Sequence, residues 1–211
     1  MKNKLNLIYK KLFAHFGPQQ WWPGDTPFEV AIGAILTQNT NWGNVEKAID
    51  NLRKEGILEA VALHDLSAKK LAALIRPAGY YNIKAKRLKN FLNLLGGEYR
   101  GSMKRMRKEE LPAIRRKLLS VNGIGPETAD SIILYALEKP VFVIDAYTKR
   151  VLSRHNIMEH EAPYEEYQEL FHSHLKKEVA LFNEYHALLV RTGKEYCRTK
   201  PLCEPCPLKG V

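Results

Sequence analysis

The turn Gly123-Ile124-Gly125-Pro126 constrains the fold more than any other segment, because it joins two amphipathic stretches at about 109–120 and 126–138. Two glycines separated by one apolar residue let the chain take positive φ and bring backbone N–H groups close to a partner. Pro126 suits the first turn of the helix that follows, where its missing N–H costs nothing. Helix, Gly-apolar-Gly turn, helix is a helix-hairpin-helix pattern, here over about 111–137. Such a hairpin grips a nucleic-acid backbone without reading bases. Gly123, Ile124 and Gly125 are therefore candidate DNA contacts.

The charge distribution points the same way. The formal net charge is +10, and the segment from Arg76 to Ser120 holds thirteen basic residues against three acidic ones, so the remainder of the chain is balanced. One strongly positive zone next to the hairpin predicts docking of a polyanion, most simply DNA. Lys84, Lys86 and Arg87 lie in that zone.

Elsewhere apolar residues recur at helical spacing, as in Leu5, Ile8, Tyr9, Leu12, Phe13 and Phe16, or Val45, Ala48, Ile49 and Leu52. Short Gly- and Pro-containing turns separate about ten such stretches, which predicts an all-α protein. Only Val141-Phe142-Val143-Ile144 looks strand-like, and without a partner it reads as a buried extended connector near a lobe boundary at Pro140. No apolar stretch approaches the roughly 20 residues a membrane span needs. All three cysteines fall late, at 197, 203 and 206, so a secreted disulfide framework is not expected and the protein is expected to be intracellular.

Three further groups of residues carry chemistry. Asp145 follows the apolar run and opens a helix, as an N-cap does. A carboxylate at that place can also stabilise an oxocarbenium-like sugar and activate water. Cys197, Cys203 and Cys206 sit in one proline-stiffened stretch, a spacing typical of zinc or iron–sulfur ligands, with a fourth ligand lacking. Trp21, Trp22 and Trp42 are all the tryptophans, near the starts of early helices, and Trp42 closely follows Gln38 and Asn39. A base flipped out of a duplex needs aromatic faces to stack on and a polar group to fill the gap it leaves.

Taken together, Leu36-Thr37-Gln38-Asn39-Thr40, the run from Gly79 to Leu88, Gly123-Ile124-Gly125, Val143-Ile144-Asp145 and the terminal cysteines resemble the endonuclease III branch of the helix-hairpin-helix DNA glycosylases. The resemblance runs almost end to end. It implies two helical lobes with a DNA cleft between them: a six-helix lobe over 25–138, and a second formed by 1–24 and 139–211 carrying the cysteine loop. It implies Asp145 as the catalytic aspartate and a [4Fe–4S] cluster on the three cysteines, zinc being the alternative. The fourth ligand would fall just past the last residue given, and the first gap between cysteines is one residue shorter than the family's.

The departures narrow the expectation. Glu127 stands where endonuclease III has the lysine that forms a Schiff base, and a carboxylate cannot form that imine. The chain is most similar to the small 3-methyladenine DNA glycosylases of the branch, in which aromatic rings sandwich the base. Trp22 and Trp42 stand at the matching places. The expectation is a monomeric, nucleoid-associated, monofunctional glycosylase for alkylated purines. Glu127 is a second catalytic candidate that orients water or a pocket side chain. Two alternatives stay open: a glycosylase/lyase for oxidised or mismatched bases, and a non-catalytic DNA-structure binder.

Overall fold

The structure, a computed structural model, describes residues 1–19, 21 and 24–211. All regular structure among the described residues is helical, as the periodicity predicts. The α-helices are α1 (Lys2–Phe16), α2 (Pro27–Leu36), α3 (Trp42–Lys54), α4 (Ala60–Asp65), α5 (Ala68–Leu74), α6 (Tyr81–Tyr99), α7 (Met103–Arg107), α8 (Leu111–Ser120), α9 (Pro126–Ser131), α10 (Ala146–Arg154), α11 (Tyr164–His174) and α12 (Val179–Glu195). A π-helical turn, Ile132–Ala136, prolongs α9. The chain forms two compact units, one of residues 1–21 and 140–211, the other of residues 22–139.

In the unit 22–139, α2 is apolar nearly all round and almost wholly buried, with Val30, Ile32, Ile35 and Leu36 at 0–1% exposure. A helix of that kind belongs at the centre of a core. Thr26 starts it, its hydroxyl accepting from Glu29 N at 3.1 Å, with Pro27 in the first turn. Packed around α2 are α3, α6 and the π-helical turn, whose five residues are all buried. Arg115 and Asp130 tie α8 to α9 through two parallel hydrogen bonds, Nε–Oδ1 at 2.8 Å and Nη2–Oδ2 at 3.1 Å. The Asp130 side chain is fully buried, so this forked pairing offsets the cost of burying its charge. The helices α4 and α7, of six and five residues, bury only Leu63 and the pair Met103 and Met106. Elements so short show no periodicity, and the sequence reading passes over both.

In the other unit the run 141–144 is an extended connector, its four side chains 0–2% exposed. Side chains of α11 satisfy its backbone in place of a neighbouring strand. Phe142 N donates to His172 Nε2 at 2.9 Å, Gln168 Nε2 donates to Phe142 O at 2.8 Å, and Ile144 N donates to Tyr164 Oη at 3.3 Å. Phe142 stacks on Phe171 with ring centroids 3.6 Å apart, and Phe182 and Tyr185 meet it edge-on. This aromatic core sets where the connector ends and α10 begins, at Asp145.

Candidate functional site

The hairpin turn is held from α6 and from the end of α2. Gly123 has φ +95°, and a Cβ added there would lie 2.3 Å from Arg87 Cγ. Only glycine meets both conditions. Gln38 Nε2 donates to Gly123 O at 3.0 Å and to Thr128 Oγ1 at 2.9 Å, while the Arg87 guanidinium donates to Gln38 Oε1. Asn90 Nδ2 donates to Asn122 O at 2.9 Å on the same turn. Both ends of the Gln38 amide are thus engaged within the protein. Gln38 and Arg87 brace the hairpin. Ile124 is buried at 4% and anchors the turn from inside, whereas Gly125 and Asn39 are exposed, Asn39 with φ +53°. Glu127 is exposed in the first turn of α9, and its backbone O accepts from Ser131 Oγ.

The basic zone is smaller in space than in sequence. Lys84 is 1% exposed and donates to Ala78 O at 2.7 Å, so it offers no charge at the surface. Lys89 caps the carbonyls of Leu63, His64 and Leu66. Arg107, Arg115 and Lys117 are paired with Glu138, Asp130, and Glu98 and Glu109 respectively. Lys86 is exposed, as are Arg76, Arg100, Lys104, Arg105, Lys108 and Arg116.

Burial, and then the nearby Arg87 guanidinium, pull the Lys84 ammonium down to about 8 from its ordinary 10.5. Between those values the unfolded chain binds the proton and the folded protein does not, so this residue's contribution to stability rises with pH across that window. Wild-type protein is therefore expected to gain stability relative to Lys84→Met as pH rises from about 8 to about 10.5. Urea unfolding of both proteins at several pH values measures it. A difference that stays flat would mean that Lys84 is solvated.

Asp145 is the N-cap of α10. Its Oδ1 accepts from Thr148 N at 2.7 Å, and its Oδ2 lies 3.7 Å from His186 Nε2 on α12. Both side chains are largely buried, Asp145 at 13% and His186 at 7% exposure. Burial pushes the His186 pKa down, opposed by the Asp145 charge. The carboxylate thus has one oxygen committed to the cap and the other turned toward a buried imidazole. The sequence reading finds Asp145 and misses His186, which carries no local signal.

Trp42, at the start of α3, donates its indole N–H to Glu46 Oε1 at 2.8 Å. Its ring lies against Gly33, where an added Cβ would come within 3.3 Å of Trp42 Cη2. The ring borders a cavity of about 390 Å³ lined also by Gly24, Ile49, the carboxylates of Asp25, Glu29, Glu46 and Asp50, and Arg53. Arg53 pairs with Asp25, Glu29 and Asp50 at 2.9–3.1 Å. Four carboxylates against one guanidinium make this wall acidic in a basic protein. None of these charged residues belongs to a sequence motif, and each reads alone as a solvated surface residue. Trp21 belongs to the unit 1–21 and 140–211, with Lys194 Nζ 5.7 Å from its ring centroid. Trp22 lies outside the described residues.

Among the described residues the three cysteines do not by themselves complete the expected metal centre. A [4Fe–4S] cluster or tetrahedral zinc takes four ligands. Among the described residues no three or more His, Cys, Asp or Glu side chains are grouped to hold a metal. Cys197 is buried and accepts from Arg154 Nη1 at 3.4 Å, Cys203 is exposed and Cys206 half-buried. Burial, opposed by a hydrogen bond from the Leu208 backbone and reinforced by the two neighbouring thiols, pushes the Cys206 thiol up. Arginines of α10 hold the loop: Arg150 Nε donates to Cys197 O at 2.6 Å, and Arg154 donates to Arg198 O and Thr199 O.

Comparison with known proteins agrees with this architecture. The model of the HhH-GPD superfamily base excision DNA repair proteins matches residues 32–177. A Methanocaldococcus jannaschii protein named "Putative DNA repair glycosylase" is 49% identical, over 99% of this chain and 96% of its own. The H. pylori 3-methyladenine DNA glycosylase, solved bound to 1,N6-ethenoadenine, superposes with a TM-score of 0.79 at 29% identity, over 92% of this chain and 97% of that one. An endonuclease III–DNA complex superposes with a TM-score of 0.82 at 21% identity, over 98% and 92%, a likeness of fold. No helix among the described residues is long and apolar enough to cross a membrane. This chain belongs to the HhH-GPD superfamily of base excision DNA repair proteins, as a DNA glycosylase with the endonuclease III fold.

Proposed function

We propose that the protein is a monofunctional DNA glycosylase that releases alkylated purines such as 3-methyladenine from duplex DNA. The observation that carries this reading is the acidic cavity walled by Trp42. Alkylation at N3 or N7 leaves a purine positively charged, and an electron-rich indole face attracts such a cation by about 0.5–2 kcal/mol. Glu46, on the indole N–H, adds negative charge to the ring it holds in place. Neutral oxidised pyrimidines can stack on the indole but gain none of this charge-dependent attraction. The likeness to the H. pylori enzyme for 3-methyladenine supports the same substrate class.

The chemistry asks little of the protein. A cationic purine is already a good leaving group, and the electron pair of the glycosidic bond departs with it and discharges it. Asp145 steadies the sugar cation that develops, and water adds to C1′ with its proton passing to the carboxylate. Glu127, at the place of the lyase lysine, offers no imine-forming nitrogen, so the abasic product keeps its strand intact. The exposed hairpin backbone at Gly125 and exposed basic side chains such as Lys86 hold the phosphates.

Duplex DNA treated with a methylating agent tests this directly. Release of 3-methyladenine is expected, with strand breaks only after alkali, and Trp42→Ala is expected to narrow the preference for cationic over neutral damaged bases. Breaks without alkali would show a lyase nucleophile and overturn the monofunctional reading. Failure to release any methylated purine would overturn the substrate class.

A further inference from the structure

We propose that His186 is a positioning residue for Asp145, holding the second carboxylate oxygen toward the reacting sugar as the transition state forms; this rests on Asp145 being the catalytic aspartate. The geometry of the pair and its surroundings support it. Among the described residues the Asp145 carboxylate is hydrogen-bonded at one oxygen, Oδ1 receiving the Thr148 N–H at 2.7 Å, while Oδ2 has the His186 ring 3.7 Å away. At that distance the contact is electrostatic and lies just beyond a hydrogen bond. Catalytic hydrogen bonds that are long in the free enzyme commonly tighten once substrate is bound.

The surroundings of His186 favour a neutral, directional donor over a second ion. The residue is 6% exposed on α12, the helix most extensively packed against α10, and Phe142 meets its ring edge-on at 6.4 Å. Burial among such groups disfavours the imidazolium. A neutral imidazole can orient the carboxylate through an N–H dipole without cancelling its charge. A lysine or arginine at the same place would form an ion pair and draw that charge away from the sugar cation. A carboxylate meant to stabilise positive charge gains from a neutral partner and loses with a cationic one.

Two variants and one wild-type measurement test the proposal. His186→Leu removes the donor while keeping an apolar side chain, and His186→Asn restores a side-chain N–H. Single-turnover base release is measured together with affinity for a methylated duplex and for a duplex carrying a pyrrolidine abasic nucleotide, a cationic mimic of the sugar in the transition state. His186→Leu is expected to slow release about tenfold or more, to weaken mimic binding by a similar factor, and to leave duplex affinity unchanged. His186→Asn is expected to recover most of both losses. Equal losses in the two variants, or wild-type rates in His186→Leu, overturn the proposal. Should either variant fail to fold, NMR of the wild-type imidazole decides: its Nε2–H signal moves downfield on mimic binding if the contact shortens, and an unmoved signal rejects the idea. Asp145→Asn separates the two readings. If it releases base normally, Asp145 is not catalytic; if it is inactive while His186→Leu is not, only the role of His186 falls.

Discussion

Asp145→Asn is expected to lower single-turnover release of 3-methyladenine by about 10²–10⁴-fold, the range that a positioned acid–base group supplies. Folding should be nearly unaffected. Asparagine caps a helix about as well as aspartate, and its side-chain oxygen can still accept from Thr148 N. Affinity for duplex DNA should hold or rise, because the change removes a negative charge. Asp145→Ala is the contrasting variant, since it loses the cap as well and should cost about 1 kcal/mol of stability. Rates from quenched reactions, set beside binding by fluorescence anisotropy and thermal melts, separate these effects. Undiminished release by Asp145→Asn would falsify the catalytic assignment.

Gly123→Ala is expected to be the most damaging single-methyl change in the hairpin. A φ of +95° is strained for any L side chain, and the new Cβ would press on Arg87 Cγ at 2.3 Å and Cδ at 2.8 Å. Strain and displacement together should cost about 2–4 kcal/mol. The displaced Arg87 also lets go of Gln38, whose amide holds Gly123 O and Thr128 Oγ1. Non-specific DNA affinity should fall with stability, and the dependence of binding on salt should become shallower as phosphate contacts are lost. Gly125→Ala is the control. Gly125 has φ −90°, and nothing lies within 4 Å of its added Cβ. It should fold normally, so weaker DNA binding by Gly125→Ala would report close approach of the DNA backbone itself. Adding Arg87→Ala to Gly123→Ala should return part of the lost stability, a non-additivity measurable by denaturant unfolding. Strict additivity would show that Arg87 is not the obstacle.

Much of the fold is legible in the sequence because it is governed by near neighbours. Apolar residues at helical spacing, Asp145 at the head of its helix, and the Gly123-Ile124-Gly125-Pro126 turn act within a few positions of themselves. Such signals survive without knowledge of the rest of the chain. The connector 141–144 reads as extended and buried for the same reason. The short helices α4 and α7 do not, since six and five residues are too few to show a period.

Charge and chemistry are less legible. Lys84 reads as part of a DNA-facing surface, yet it is buried under the turn at Ala78, and Arg87 and Gln38 serve the hairpin. The acidic lining beside Trp42 is assembled from Asp25, Glu29, Glu46 and Asp50, each ordinary where it stands in the chain. The three cysteines are visible as a cluster in sequence, but their different depths in the loop are not. His186 meets Asp145 from a separate helix, and Gln38 meets Gly123 across 85 positions. The sequence alone determined the longer helices, the Asp145 cap and the stereochemistry of the turn, because these follow from steric and hydrogen-bonding preferences between near neighbours. Only the tertiary structure decided which polar side chains are spent in the interior and which remain at the surface, because burial and pairing are set by segments that become neighbours only when the chain packs.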